Sequence, residues 1–431
     1  MTSAASSMRA CPSTRQEKSS AMKQRFPSMS RRTRALVGAV AVVATIPLVL
    51  SGCSGSGSAS SGGSKALTIE DYYDANYNPV YKQCAKEVGA TVTINHVAGA
   101  GLIAKVLQQA SSKTLPDVLM LDNPDVQQIA SSGALSDLSD YGLDADGDVP
   151  GVKAASTYKG KLYGLQSNTN SIALYYNKKL LADAGVQPPK TWDELKAAAK
   201  KLTKGSTYGF AMSNINTYEG TWQFLPFFWS NGGDEKDIAT ADATQALQLV
   251  EDLQDDGSMS KSSINWAQAD VNNQFLAGKA AMMINGPWQL PALNEKKSLE
   301  FDSVPIPTRT GEATVAPLGG EAFTVPQTGD KDKMQLAGKF VGCLHSQKMQ
   351  KTLSEVSGNV PTNLEAGAAW AKDHPQVASF VTTVQTARAR TGELGPDWPK
   401  AATKIYTAVQ LALTGKASPE AALKQAQSQE Q

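Results

Sequence analysis

From Ala66 onward the chain alternates short apolar runs with stretches in which apolar residues recur every three or four positions. Ala66 to Tyr72, Thr91 to His96 and Asp117 to Leu121 read as strands, and Pro79 to Val88 and Leu102 to Ala110 read as the helices between them. Strands separated by amphipathic helices imply an α/β fold with a parallel or mixed sheet. Further on, Thr191-Trp192-Asp193-Glu194 has the form of a capping box, in which the threonine hydroxyl accepts from the Glu194 amide and the carboxylate reaches back. Trp192, Leu195, Ala199 and Leu202 then share one helix face. Gly278 stops a helix ahead of the strand Ala281 to Ile284, and Ser418-Pro419 supplies a cap followed by proline in the first turn. No internal repeat and no long linker interrupts this body.

The N-terminal part follows a different pattern. Arg31, Arg32 and Arg34 precede an apolar run from Ala35 to Leu50, which ends in Leu50-Ser51-Gly52-Cys53. This reads as a lipoprotein signal, with residues 1–52 removed, Cys53 lipidated, and Met22 or Met29 as alternative starts. The run is broken by Thr45 and Pro47 and falls short of the roughly 20 apolar residues of a membrane span. Residues 53–65, nearly all Ser and Gly after the cysteine, form a flexible tether. The expected location is the outer face of a cell membrane, held by lipid. Removing 52 of 431 residues leaves 379, more than one compact core usually organises, so two lobes are expected.

Composition narrows the partners. With 41 basic and 40 acidic residues the net charge is +1, which disfavours nucleic acid and attachment to lipid by charge alone. Cys11 leaves with the signal and Cys53 is used by the anchor, so Cys84 and Cys343 are the candidate disulfide in an oxidising location.

Signals for catalysis are sparse. Gly99-Ala100-Gly101 follows a strand and opens a helix with Asp122 closing the next strand, a partial dinucleotide fingerprint, but glycines suit such turns for backbone reasons alone and an exported chain lacks a supply of NAD. Asp144, Asp146 and Asp148 misplace the glycine of a calcium loop and have Ala155 where its glutamate belongs, so they read as a solvated acidic loop. Three scattered histidines, His96, His345 and His374, give no HExxH, and no GxSxG stands in the body. No cofactor and no metal is expected. A pair of distant carboxylates acting as a surface glycoside hydrolase stays open as the enzymatic alternative.

What the chain offers is aromatic and amide-rich turns: Tyr72 to Asp74, Asp122 and Asn123, Asn168 to Asn170, Tyr218 to Trp222, Asn285 to Trp288, and Arg390 to Trp398. Sugar rings lay their C–H faces on aromatic rings while carboxylates, amides and guanidinium groups bond the hydroxyls.

Five stretches in order resemble the solute-binding proteins of carbohydrate ABC importers, the maltose-binding-protein-like group: Leu115 to Val118, Ala173 to Leu180, Pro189 to Leu195, Ala281 to Trp288, and Leu318 to Ala322. The resemblance spans about 66 to 428 and weakens after Gly358. It implies a two-lobed α/β fold with hinge crossovers and a ligand cleft between the lobes, lobe one being 66–169 plus 320–365 and lobe two 170–319 plus 366–431. It implies a noncatalytic monomer that captures a sugar or oligosaccharide and passes it to ABC permease subunits in the membrane. By motif, Asp74, Asp122, Asn123 and the turn to Asp125 face the sugar from lobe one. Asn170 lies at the first crossover, and Trp222 and Trp288 stack on rings with Glu219 and Asn285 beside them. Gly319 and Gly320 are hinge backbone next to Glu321, and Arg390 and Trp398 close the set. Cys84 and Cys343 fall on two helices of lobe one, where a bridge leaves the hinge free. Asn170 stands in place of an acid and Leu121 in place of an aromatic, which argues against maltodextrin. A receptor of the same fold for a noncarbohydrate solute, such as glycerol phosphate, a polyamine or iron, is the remaining alternative. A phosphate ligand would want several basic side chains, and the turns offer chiefly Arg390.

Overall fold

A computed structural model describes residues 65–429. The signal region, Cys53 and the tether up to residue 64 lie outside the described residues. The elements that position the site are, in order, β1 (Ala66–Asp71), α1 (Asn78–Glu87), β2 (Thr91–His96), α2 (Gly99–Ser112), β3 (Val118–Asp122), α3 (Asn123–Ser131), β4 (Leu165–Gln166), β5 (Ala173–Asn177), β6 (Tyr208–Ala211), α4 (Tyr218–Ser230), β7 (Ala280–Asn285), β8 (Phe301–Val304), β9 (Glu321–Thr324), α5 (Lys331–His345), α6 (Gln347–Ser357) and α7 (Trp398–Leu413).

The first sheet has the order β2-β1-β3-β9-β4. β1 runs parallel to β2 and β3, and β9 returns antiparallel between β3 and β4, with Glu321 opposite Asp122. Helices cover both faces, so β3 is apolar at each position from Val118 to Leu121 rather than at alternate ones. Val118 and Met120 pack with Leu67, Ile69, Tyr81 and Phe340 on one face, while Leu119 and Leu121 pack with Leu102, Val106, Val126 and Ile129 on the other.

The second sheet has the order β8-β5-β7-β6 and is also sandwiched. Leu174, Met282 and Ile284 face α4 and α7, including Phe224, Phe228, Trp229 and Ile405. Ala173, Tyr175 and Met283 face Phe275, Trp370 and Phe380. α4 is buried from Gly220 to Trp229 despite Pro226 in its interior. The sequence reading made Tyr218 to Trp222 a turn. It is the start of this helix, capped by the Thr217 hydroxyl, which accepts from the Glu219 amide.

Three short pairings lie where the chain crosses between the two sandwiches: Asn168–Thr169 with Val360–Pro361, Pro317–Leu318 with Arg388–Ala389, and an isolated bridge from Asn170 to Gly319. The capping box at Thr191 is formed in full. Cys84 on α1 and Cys343 on α5 are joined by a disulfide with Cα atoms 5.7 Å apart, within the first sandwich. Among the described residues, no helix is long and apolar enough to cross a membrane.

Candidate functional site

Strand ends supply the floor of the site. β3 ends at Asp122, β9 begins at Glu321 beside it, and β1 runs out into Tyr72 and Tyr73. This is the carboxyl edge of the parallel strands, where open α/β sheets place their ligands. The Tyr72 and Tyr73 hydroxyls donate to the two oxygens of Glu321 at 2.9 and 2.6 Å, and Tyr73 stacks on Tyr77 at 3.9 Å between centroids. Burial raises the Glu321 carboxyl, and both tyrosine hydroxyls are pushed up by burial and by the charge of Glu321.

From the other side comes the segment that leads into α7. Arg388 lies over the Trp229 ring at 4.6 Å and donates to both Glu235 oxygens, of which Oε2 also accepts from the Trp229 indole at 2.9 Å. With that anchor set, Arg390 reaches the first sheet. Its guanidinium donates to Asp122 Oδ2 at 2.8 Å and to Asn123 Oδ1 at 3.0 Å, and lies 4.5 Å over the Trp222 ring. Arg390 is 4% exposed and Trp222 5%. One guanidinium therefore ties a carboxylate and an amide of the first sandwich to an indole of the second, using its planar fork and its face together.

The crossovers press on the same point. Asn123 N donates to Gly320 O and its side-chain amide to Leu318 O. A Cβ at Gly319 would lie 2.1 Å from Asn170 Oδ1 and 2.7 Å from the Trp222 ring. At the opposite rim Gly358, just past α6, sits against Pro287, whose carbonyl would lie 2.5 Å from an added Cβ. Where the two sandwiches meet, carboxylates, amides and one guanidinium stand beside aromatic faces. The arrangement is suited to gripping a hydroxylated guest.

Residues 80–379 match the family model of bacterial extracellular solute-binding proteins. The chain belongs to that family. Among curated relatives of this solute-binding protein is a maltooligosaccharide ABC transporter solute-binding lipoprotein of Streptococcus pneumoniae, 28% identical over 358 residues that cover 78% of this chain and 81% of the relative. A galactooligosaccharide-binding protein of Bacillus subtilis is 26% identical over 408 residues, covering 89% and 93%. A solved ABC transporter solute-binding protein from Thermotoga lettingae, bound with α-D-tagatose, superimposes with a TM-score of 0.75 at 25% identity, covering 84% of this chain and 98% of that one.

The structure of this solute-binding protein brings Asp122, Asn123, Trp222, Arg390 and Glu321 together, with Asn170 and Gly320 against them at the crossover. Trp288 is half-buried and lies on the Gly286 backbone, where an added Cβ would stand 1.9 Å from its ring. Other expected contacts are placed differently. Asp74 is exposed, and its carboxylate accepts from Asn76 N to cap a short helical turn. Glu219 is exposed and accepts from Gln268 N. Asn285 is buried with its amide used by Gln268 O and Gly286 N. Trp398 is 1% exposed and packs on Trp229. Tyr218 and Tyr406, 6.4 Å apart between ring centroids, were not singled out as a pair. Burial and then the charge of Asp125 raise Tyr218.

The acidic loop also departs from its expected solvated character at one residue. Asp148 is buried, with Oδ2 3.4 Å from Nε2 of His345, whose Nδ1 lies 3.1 Å from Gln166 O next to the crossover. Burial, with help from Asp144, raises Asp148 to about 7, and burial lowers His345. Between an unfolded value near about 4 and the folded value, the folded chain holds the Asp148 proton more tightly, so this group's contribution to stability falls as pH rises through that window. His345 has the opposite sign: its lowered value removes stability as pH falls below its ordinary range. Asp148→Asn is therefore expected to flatten the fall in melting temperature between pH 5.5 and 7.5. A wild-type slope in calorimetric scans of the variant would contradict this assignment.

Proposed function

We propose that this chain is the lipid-anchored receptor of an ABC importer, which captures a sugar or oligosaccharide between two lobes and hands it to the permease without chemistry. The lobes are 66–169 with 320–365 and 170–319 with 366–431, and Cys53 carries the anchor. The observation that carries the reading is the Arg390 contact, in which one side chain bonds Asp122 and Asn123 of the first lobe and covers Trp222 of the second. A guest placed there touches both lobes only when they are shut, so its binding favours the closed population. Hydroxyls would bond Asp122, Asn123, Asn170 and Glu321, and the indoles and the tyrosine pair would supply apolar area. The pairings at Asn168–Thr169 and Pro317–Gly319 form a short hinge that bends with little loss of packing.

The likeness to oligosaccharide-binding relatives favours a carbohydrate over other solutes. Titration calorimetry across mono- and oligosaccharides is expected to show binding of at least one, with a fall in radius of gyration on saturation. Binding of amino acids or peptides with no response to any saccharide would overturn the assignment, and new reducing ends after incubation would show a hydrolase instead.

A further inference from the structure

We propose that Asp148 is a pH-controlled clasp at the crossover: as a neutral carboxyl it holds the segment from Gly147 to Ala155 in place, and as a carboxylate it releases that segment. The inference goes beyond the carbohydrate reading and does not depend on it. Asp148 forms an isolated bridge with Asn363, and the chain is bonded on either side of it: Val149 N donates to Thr362 O and Leu364 N to Gly147 O, each at 2.9 Å. Thr362 and Asn363 directly follow Val360–Pro361, the partner of Asn168–Thr169 at the crossover. Beyond Asp148, the short helix Pro150–Ala155 is wedged against residues of both sandwiches. Val149 and Val152 pack with Leu318, Ala173 and Tyr175, and an added Cβ at Gly151 would lie 2.9 Å from Leu318 Cδ2. Gln127 of α3 donates to Ala154 O and Ala155 O from the other side.

The Asp148 side chain is 1% exposed, and neither of its oxygens has a hydrogen-bond partner. The polar groups beside it are committed elsewhere. Thr362 Oγ1 donates to Gln166 O at 2.7 Å, and His345 Nδ1, 3.1 Å from the same carbonyl, can bond it only as the protonated nitrogen. In the neutral imidazole that tautomer turns the lone pair of Nε2 towards Asp148, whose Oδ2 lies 3.4 Å away. A carboxylic acid suits an acceptor at that place, whereas a buried carboxylate without a donor is costly unless the chain moves and admits water. The charged groups around the pair are Asp144, which raises Asp148, and Lys153, which lowers it from the short helix while bonded to Asp146 at 2.8 Å. Burial is the largest influence and raises Asp148 to about 7. Once released, the carboxyl returns to an ordinary value of about 4, so opening of the segment is increasingly favoured as pH rises between these two values. His345, lowered by burial, acts in the opposite sense on the acid side.

The test is amide hydrogen exchange at Val149 and Leu364 in the full-length chain in detergent, from pH 5 to 7.5, with rates corrected for the intrinsic effect of pH. Wild type is compared with Asp148→Asn, whose side chain stays neutral throughout and can donate to His345 Nε2. Protection at these two amides is expected to fall at least tenfold more across this range in the wild type than in the variant, the contribution of His345 being common to both. At pH 7.5 the same two wild-type amides are expected to exchange at least tenfold faster than those of Met120 and Met283 in the two sheets, which marks local release rather than unfolding of the whole chain. Parallel profiles in wild type and variant would overturn the clasp, and so would protection equal to that of the sheets. The carboxyl carbon of Asp148, followed by NMR in wild type labelled at aspartate, gives a reading that needs no variant: a midpoint near neutrality is expected, and an ordinary midpoint near about 4 overturns the proposal.

Discussion

Replacing Arg390 with methionine is expected to weaken saccharide binding about 100-fold and to lower the melting temperature. The stem of the side chain is kept, and what is removed is the guanidinium together with its contact over the Trp222 ring. Breaking a buried pair costs about 3–5 kcal/mol because the surviving charge is left without a partner. The Asp122 side chain retains 24% exposure, which places the expected cost at the lower end of that range. At about 1.4 kcal/mol per tenfold change, about 3 kcal/mol corresponds to roughly two orders of magnitude in the population of the closed, binding form. Arg390→Lys is expected to recover little, since one ammonium cannot bond Asp122 and Asn123 and cover an indole at once.

The deficit of Arg390→Met should grow with pH. Arg390 lowers the Asp125 and Glu321 carboxyls, so losing it raises both folded values further. A raised folded value means stability that is present at acid pH and lost as pH rises above the unfolded value. Adding Asp122→Asn to Arg390→Met should restore part of the melting temperature by removing the orphaned anion, and a double-mutant cycle measures how much. Equal affinities for Arg390→Met and the wild type would take Arg390 out of the site.

How far this site could be read from sequence depends on which interactions are local. The α/β class was legible because β3 is apolar at each position from Val118 to Leu121 and its neighbours show helical spacing. Asp122 was legible for a related reason: a polar residue closing a buried strand sits at the sheet edge where ligands bind. The capping box at Thr191 was readable because its donors and acceptors lie within four residues. Asn285 and Trp398 were not readable in this way. Each has the chemistry of a sugar contact, yet Asn285 is occupied by Gln268 O and Gly286 N, and Trp398 is covered by Trp229, 169 positions earlier in the chain. Asp148 differs from Asp144 and Asp146 only in meeting His345 from a distant helix. The pairing of Tyr218 with Tyr406 likewise depends on α7 packing against α4, and no local pattern encodes it.

The adjacent glycines at the crossover should respond to alanine in two different ways. Gly320 has φ +122, a conformation that side chains with a Cβ rarely adopt, and an added Cβ would lie 2.7 Å from Asn168 O and 3.1 Å from Thr169 Cα. Those are backbone atoms held by the pairing of Asn168–Thr169 with Val360–Pro361, so they cannot yield without breaking that ladder at the crossover. Strain at such a position costs about 1–3 kcal/mol before any clash is counted, and Gly320→Ala is expected to lose about 4 kcal/mol or more and to fold poorly. Gly319 has no such conformational demand, and its added Cβ would meet the Asn170 amide and the Trp222 ring, both side chains that can turn aside. Gly319→Ala is therefore expected to fold with a melting temperature within a few degrees of wild type, yet to bind saccharide at least tenfold more weakly, because the displaced indole no longer lies flat beneath Arg390. Thermal scans and titrations of the two variants side by side separate these outcomes. If Gly319→Ala bound normally, Trp222 would not need its present position against the crossover, and the cleft would have to be built around other residues.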